Sequence, residues 1–209
     1  METTRTSENA TPKRAWQRML SGRRLDLLNP SPDDIEIEDI AHGLARVARW
    51  NGQTLGDHAF SVAQHALVVE AIATACNQDW PPRWSLTALL HDASEYVVGD
   101  LISPFKNAIG LDYKTFELRL LAAIHKRFKL PAEPPQTIQA EIKAADRIAA
   151  FHEATRLAGF SKEEATIFFG EPKRLPSKLV NDLQKLVPVQ ADAAQKRFLA
   201  RFQALTNDT

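Results

Sequence analysis

The sequence predicts an all-α fold, and three observations lead there. From residue 35 onward apolar residues recur at the i, i+3, i+4, i+7 spacing of a helix with one buried face. No stretch alternates with the period of two that marks a strand. Prolines and glycines fall between the periodic segments, at intervals of a helix length. A chain of 209 residues that is 44% hydrophobic can bury one substantial core without disulfides. The 26 Lys and Arg balance the 26 Asp and Glu, so no global basic field exists to hold nucleic acid, and no stable nucleic-acid partner is expected. Cys76 is the single cysteine, which excludes an internal disulfide and a four-cysteine zinc site. Any metal must therefore use His, Asp and Glu. No apolar run approaches the roughly 20 residues of a membrane span. The first ten residues lack the apolar core of a secretory signal, so the chain is expected in the cytoplasm and off the membrane.

Residues 1–34 are polar and carry Pro12, Pro30 and Pro32, which reads as an extended or partly disordered arm before a helical domain over 35–209. Ile37, Ile40, Ala41, Leu44, Val47 and Ala48 define a first helix. A second runs from about Asp57 to Cys76 with Val62, Ala66, Val69, Ala73 and Cys76 inward. A third runs from Pro82, suited to a first turn, to Val98, and Gly99 ends it. Phe116, Leu120, Ile124 and Phe128 mark a fourth, closed by the segment from Pro131 to Pro135. A fifth extends from about Gln136 to Gly159. Ser161 and Glu164 form a capping-box pattern for a sixth that stops near Gly170. Pro172, Pro176 and Pro188 separate two more helices at the end. No repeat of 20 to 50 residues is present, which removes solenoid folds.

Two segments carry chemistry. His91-Asp92 directly follows the apolar Leu89-Leu90, and burying both polar groups is costly unless something binds them. A metal ion would satisfy both; a core histidine bonded to a backbone carbonyl is the plain alternative. Glu95 stands four residues after His91 and three after Asp92, on the same side of a helix. Asp146 lies among Ile142, Ala144, Ala145, Ile148 and Ala149 and needs a partner, either an ion or a surface pair with Lys143 or Arg147. With His58, these residues occur in the order His, His-Asp, Asp on three helices that must pack together.

That order resembles the HD-domain superfamily of metal-dependent phosphohydrolases over roughly residues 35–160. Within it, His91-Asp92-Ala93-Ser94-Glu95 followed by Gly99-Asp100-Leu101, Pro104 and Lys106 is similar to the bacterial HD-type 5'-deoxynucleotidases. The resemblance implies an HD-type helical bundle with extra C-terminal helices and a homodimer. It implies His58, His91, Asp92 and Asp146 as ligands of one divalent metal, with Glu95 and Asp100 as active-site acids. The family's Arg-Trp pair has a counterpart in Arg49-Trp50, eight positions before His58, with Arg46 an equal candidate and Lys106 a further substrate contact. Two imidazoles and two carboxylates suit Mn, Fe, Co, Ni or Zn better than Mg, whose sites are oxygen-rich.

The implied activity is release of phosphate from (deoxy)nucleoside 5'-monophosphates by a metal-activated water. The alternatives are a deoxynucleoside triphosphate triphosphohydrolase and a non-catalytic HD module that binds nucleotide. The histidine-rich extension of long triphosphohydrolases is missing between Ala93 and Asp100, and intact ligands with Glu95 speak against lost catalysis. His65 reads equally as a support for the metal ligands or as an ordinary buried or surface histidine. His42, His125 and His152 are expected at the surface. Trp80 to Trp84 reads as an aromatic cover over a helix start, and Lys13-Arg14 and Arg23-Arg24 as solvated pairs.

Overall fold

A computed structural model describes residues 15–100 and 111–207, the second span with side chains from residue 114 onward. Among these residues the fold is all-α apart from one small hairpin. Strand β1 (Trp16–Arg18) pairs antiparallel with β2 (Arg24–Asp26), and Trp16 faces Asp26. The helices are α1 (Ile37–Leu44), α2 (Val62–Cys76), α3 (Pro82–Leu89), α4 (Glu95–Val98), α5 (Leu111–Arg127), α6 (Gln136–Arg156), α7 (Lys162–Phe169), α8 (Ser177–Gln184) and α9 (Ala191–Asn207). None of the described helices is long and apolar enough to cross a membrane.

Helix α2 lies at the centre, between α6, α3 and α9. One apolar cluster joins Leu44, Ala66, Leu86, Leu120, Ile124 and Phe198, so it draws on α1, α2, α3, α5 and α9. A second, with Val69, Ile72, Ile142, Ile148 and Ala149, seals α2 against α6. These two clusters pack α2 against both α3 and α6, and the polar residues that interrupt the stripes meet where the three converge. Trp80 and Trp84 are half-buried against the second cluster, as a covered helix start requires.

The termini of the later helices follow their local signals. Ser161 and Glu164 form the reciprocal capping box of α7, and Gly170, at φ 81°, ends it in the left-handed region. Other boundaries depart from the periodicity. The segment expected as an extended arm folds in its described part. Leu25 is fully buried, the guanidinium groups of Arg18 and Arg24 lie over the Trp16 ring, and Ser21 donates through its backbone N–H and its hydroxyl to the Asp39 carboxylate of α1. Three-residue strands hold too few positions to show a period of two. Helix α2 starts at Val62 rather than near Asp57, because the Ser61 hydroxyl accepts the Gln64 N–H and fixes the first turn there. The long third helix breaks after Leu89; residues 90–94 form turns before the short α4. Cys76, expected inward, is exposed at the end of α2. His125, expected at the surface, is buried with Nδ1 3.4 Å from the Ala132 carbonyl. His42 and His152 are half-buried rather than exposed.

One close approach sets the position of α4. A Cβ on Gly43 would stand 2.8 Å from the Cβ of Tyr96, so α1 and α4 touch backbone to backbone at this point. Gly43→Ala is expected to cost about 1–3 kcal/mol by overpacking. A fall in the denaturant midpoint at unchanged m-value would register it, and an unchanged midpoint would mean that α4 yields freely.

Candidate metal centre

Three elements build the site. Helix α2 contributes His65, the turn between α3 and α4 contributes His91 and Asp92, and α6 contributes Asp146 and Glu153. His65 is fully buried, and its Nδ1 lies 2.6 Å from Oε1 of Glu153. A carboxylate only accepts, so the Nδ1–H donates and Nε2 is the nitrogen left to face the other carboxylates. That Nε2 stands 3.3 Å from Oδ1 of Asp146 and 3.5 Å from Oδ2 of Asp92. His91 repeats the arrangement. Its Nδ1–H donates to the Ala88 carbonyl at 2.9 Å, and its Nε2 is 3.1 Å from Oδ2 of Asp92. Potential ligand atoms of His65, His91 and Asp146 lie within 4.8 Å of one another.

This geometry fits a cation. Both Nε2 atoms are buried and neither makes a hydrogen bond among the described residues, while each Nδ1 proton is committed elsewhere. Two ring nitrogens therefore face two carboxylates, an arrangement that calls for a positive charge between them, either a proton on the imidazole or a metal ion. Burial alone would raise the Asp92 and Asp146 carboxyls, but the adjoining imidazoles outweigh it and hold both below the usual carboxylate range. Burial and Arg49 oppose a charge on His65; Glu153, Asp146 and Asp92 outweigh them and raise its pKa well above the ordinary value. A proton and a metal ion thus compete for the same Nε2.

The residues expected at the site divide into three groups. His91, Asp92 and Asp146 come together. Asp146 also takes the surface partner open to it, accepting from Lys143 Nζ at 2.6 Å through Oδ2 while Oδ1 faces His65. Glu95 is buried at the start of α4, and its backbone N–H donates to the Asp92 carbonyl at 3.0 Å, so it follows the His-Asp turn instead of sharing one continuous helix with it. Asp100 accepts from Arg49 Nη1 at 3.0 Å. Trp50 Nε1 donates to Oε2 of Glu153 at 3.0 Å, and its ring packs on Phe160 and Phe169 at centroid distances of 5.7 and 5.9 Å. An isolated bridge between Ala48 and Ser61 closes the intervening loop and delivers Arg49-Trp50 to the first turn of α2.

Two expected residues lie elsewhere. His58 is exposed in the loop ahead of Ser61, outside the helix and outside the cluster. Arg46 is exposed and donates to Gln195 and Asp192 of α9 at 2.9 and 3.0 Å, on the outer surface. Lys106, with Leu101 and Pro104, lies outside the described residues.

Two residues in the cluster lie outside the expected ligand set: His65, which reads equally as a support for the ligands or as an ordinary histidine, and Glu153, for which the sequence offers no role. His65 sits at the i+3 position of the stripe Val62, His65, Ala66, Val69, a buried place for a histidine once the helix start is known. With His65 in place of His58, the distance from Trp50 to the first histidine grows from eight residues to fifteen. Glu153 falls two turns after Asp146 on the same face of α6, beside the buried Ala149, Ala150 and Ala154. Burial would raise its carboxyl, yet His65 and Arg49 hold it below the ordinary value.

Comparison with known proteins gives a family for the chain. The family model described as 5'-deoxynucleotidase YfbR-like matches residues 42–181, which contain every element of the cluster. An uncharacterized protein of Rhodobacter capsulatus is 62% identical over 160 residues, covering 77% of this chain and 82% of its own length. The uncharacterized protein YfdR of Escherichia coli is 28% identical over 186 residues, covering 89% of this chain and 93% of its own. The match spans well over half of the chain, and on it the protein belongs to the YfbR-like 5'-deoxynucleotidase family of the HD superfamily.

Proposed function

We propose that the protein is a metal-dependent phosphohydrolase that releases inorganic phosphate from (deoxy)nucleoside 5'-monophosphates. The observation that carries this reading is the pair of buried Nε2 atoms of His65 and His91, without a hydrogen-bond partner among the described residues, facing Asp92 and Asp146. In this reading His65, His91, Asp92 and Asp146 hold one divalent ion. Such an ion supplies charge neutralisation at a phosphoryl oxygen and activation of the attacking water. Arg49 binds the phosphate with its guanidinium, and Asp100, 3.0 Å from Nη1, keeps that side chain extended toward the site. Trp50, the next residue, supplies an apolar contact for the sugar. Glu95 delivers a proton to the leaving 5'-oxygen; its burial keeps solvent from competing for that proton.

The test is a phosphate-release screen over mono-, di- and triphosphate nucleotides with Mn, Co, Ni, Zn and Mg in turn. Inorganic phosphate from 5'-monophosphates, strongest with a transition-metal ion and weak with Mg, is the expected result. Tripolyphosphate from triphosphates would move the protein to the triphosphohydrolases. No release from any nucleotide with any of the five ions would overturn the enzymatic reading.

A further inference from the structure

The proposed reading leaves one fully buried carboxylate without a task. Glu153 is enclosed by α2, α6 and the loop that carries Arg49-Trp50, and its two oxygens serve different halves of the site. Oε1 accepts from Nδ1 of His65 at 2.6 Å. Oε2 accepts from Nε1 of Trp50 at 3.0 Å and stands 3.6 Å from Nε of Arg49. One side chain thus orients a metal-facing imidazole and the loop that presents the phosphate-binding guanidinium.

The loop needs such an anchor. Trp50 and Asn51 both adopt left-handed backbone angles, at φ 56° and 51°, a region that residues other than glycine enter only under strain. The Glu153 hydrogen bond and the packing of Trp50 against Phe160 and Phe169 hold the Trp50 side chain, beside the backbone hydrogen bonds from Arg49 N–H to the Phe60 carbonyl and from Gln53 N–H to the Trp50 carbonyl. If the turn relaxed, Arg49 would swing with it, since the two residues are adjacent. A glutamine could not substitute. An N–H donates to each Glu153 oxygen and the Arg49 guanidinium adds a positive charge 3.6 Å away, whereas an amide is neutral, offers one accepting oxygen and sets its own NH2 against a donor.

We propose that Glu153 is a positioning residue serving both halves of the site at once: it fixes the Nδ1–H form of His65 for metal binding and holds the Arg49-Trp50 turn for the phosphate. This rests on the phosphohydrolase reading, because both halves take their meaning from it.

The experiment compares the wild-type protein with Glu153→Gln and Arg49→Lys. The readouts are manganese affinity without substrate, inhibition by inorganic phosphate at saturating manganese, and thermal unfolding. Glu153→Gln is expected to weaken manganese binding about 10–100-fold, the range for lost outer partners of metal ligands. It is also expected to weaken phosphate inhibition about tenfold, one charge-assisted hydrogen bond's worth. Arg49→Lys should weaken phosphate inhibition alone. A folded Glu153→Gln with wild-type values for both ligands overturns the proposal, however much its unfolding temperature falls. If Glu153→Gln does not fold, the decision passes to the zinc-loaded wild-type protein with 15N-labelled histidine. A protected Nδ1–H on His65 with zinc on Nε2 supports the role, and zinc on Nδ1 overturns it. Wild-type protein that binds manganese yet releases no phosphate overturns the function reading, while a weakened manganese affinity in Glu153→Gln would still support the positioning role.

Discussion

His65→Ala is expected to lose stoichiometric metal and, with it, phosphate release, whereas His58→Ala is expected to keep both. His65 turns its Nε2 toward Asp92 and Asp146 from a fully buried position, and no other described imidazole is available to replace it there. Removing a direct ligand should exceed the roughly 10–100-fold loss that follows removal of an outer partner. His58 is exposed ahead of the helix cap, so its removal alters a solvated loop. Elemental analysis of both purified variants, with circular dichroism to show that each is folded, checks the pair. Metal lost from His58→Ala and retained by His65→Ala would reverse the assignment.

Glu95→Gln is expected to separate chemistry from metal binding. Glu95 is 1% exposed and sits at the first position of α4, directly after the His-Asp turn. If its carboxyl gives a proton to the leaving oxygen, an amide of equal size removes the ionisable group and should cost on the order of 10² to 10⁴ in turnover. Bound metal should stay at wild-type stoichiometry. A purely structural Glu95 would show the opposite pattern, with a lowered unfolding temperature beside near-normal turnover. Turnover, metal content and thermal unfolding measured on the same preparation distinguish the two.

The parts of this molecule that were legible in the sequence are those where a local signal coincides with a repeated pattern. The apolar spacing of Leu120 and Ile124 in α5, and the Ser161 and Glu164 box of α7, translate directly into buried faces and helix ends. His91-Asp92 and Asp146 were legible because polar groups in apolar surroundings demand a partner. The place of His65 in the cluster was not, and the reason is a boundary. Periodicity is insensitive to where a helix begins, and the Ser61 hydroxyl places that point four residues past His58. The same uncertainty hid the break at residues 90–94, since a turn that keeps the chain compact leaves the apolar spacing intact. Arg46 and Arg49 are alike in sequence. The distinction between them lies in tertiary contacts, Asp192 on α9 for one and Asp100 with Glu153 for the other. Glu153 gave no signal of its own because a glutamate on a long helix reads as solvated; its burial follows from the way α6 packs on α2.

The most direct test of the metal centre is an anomalous difference map from crystals of the manganese-loaded protein. One peak is expected at roughly 2.0–2.4 Å from Nε2 of His65, Nε2 of His91 and carboxylate oxygens of Asp92 and Asp146, the range for nitrogen and oxygen ligands. A peak coordinated by His58, or full loading with no peak between α2, α6 and the His91-Asp92 turn, would contradict it.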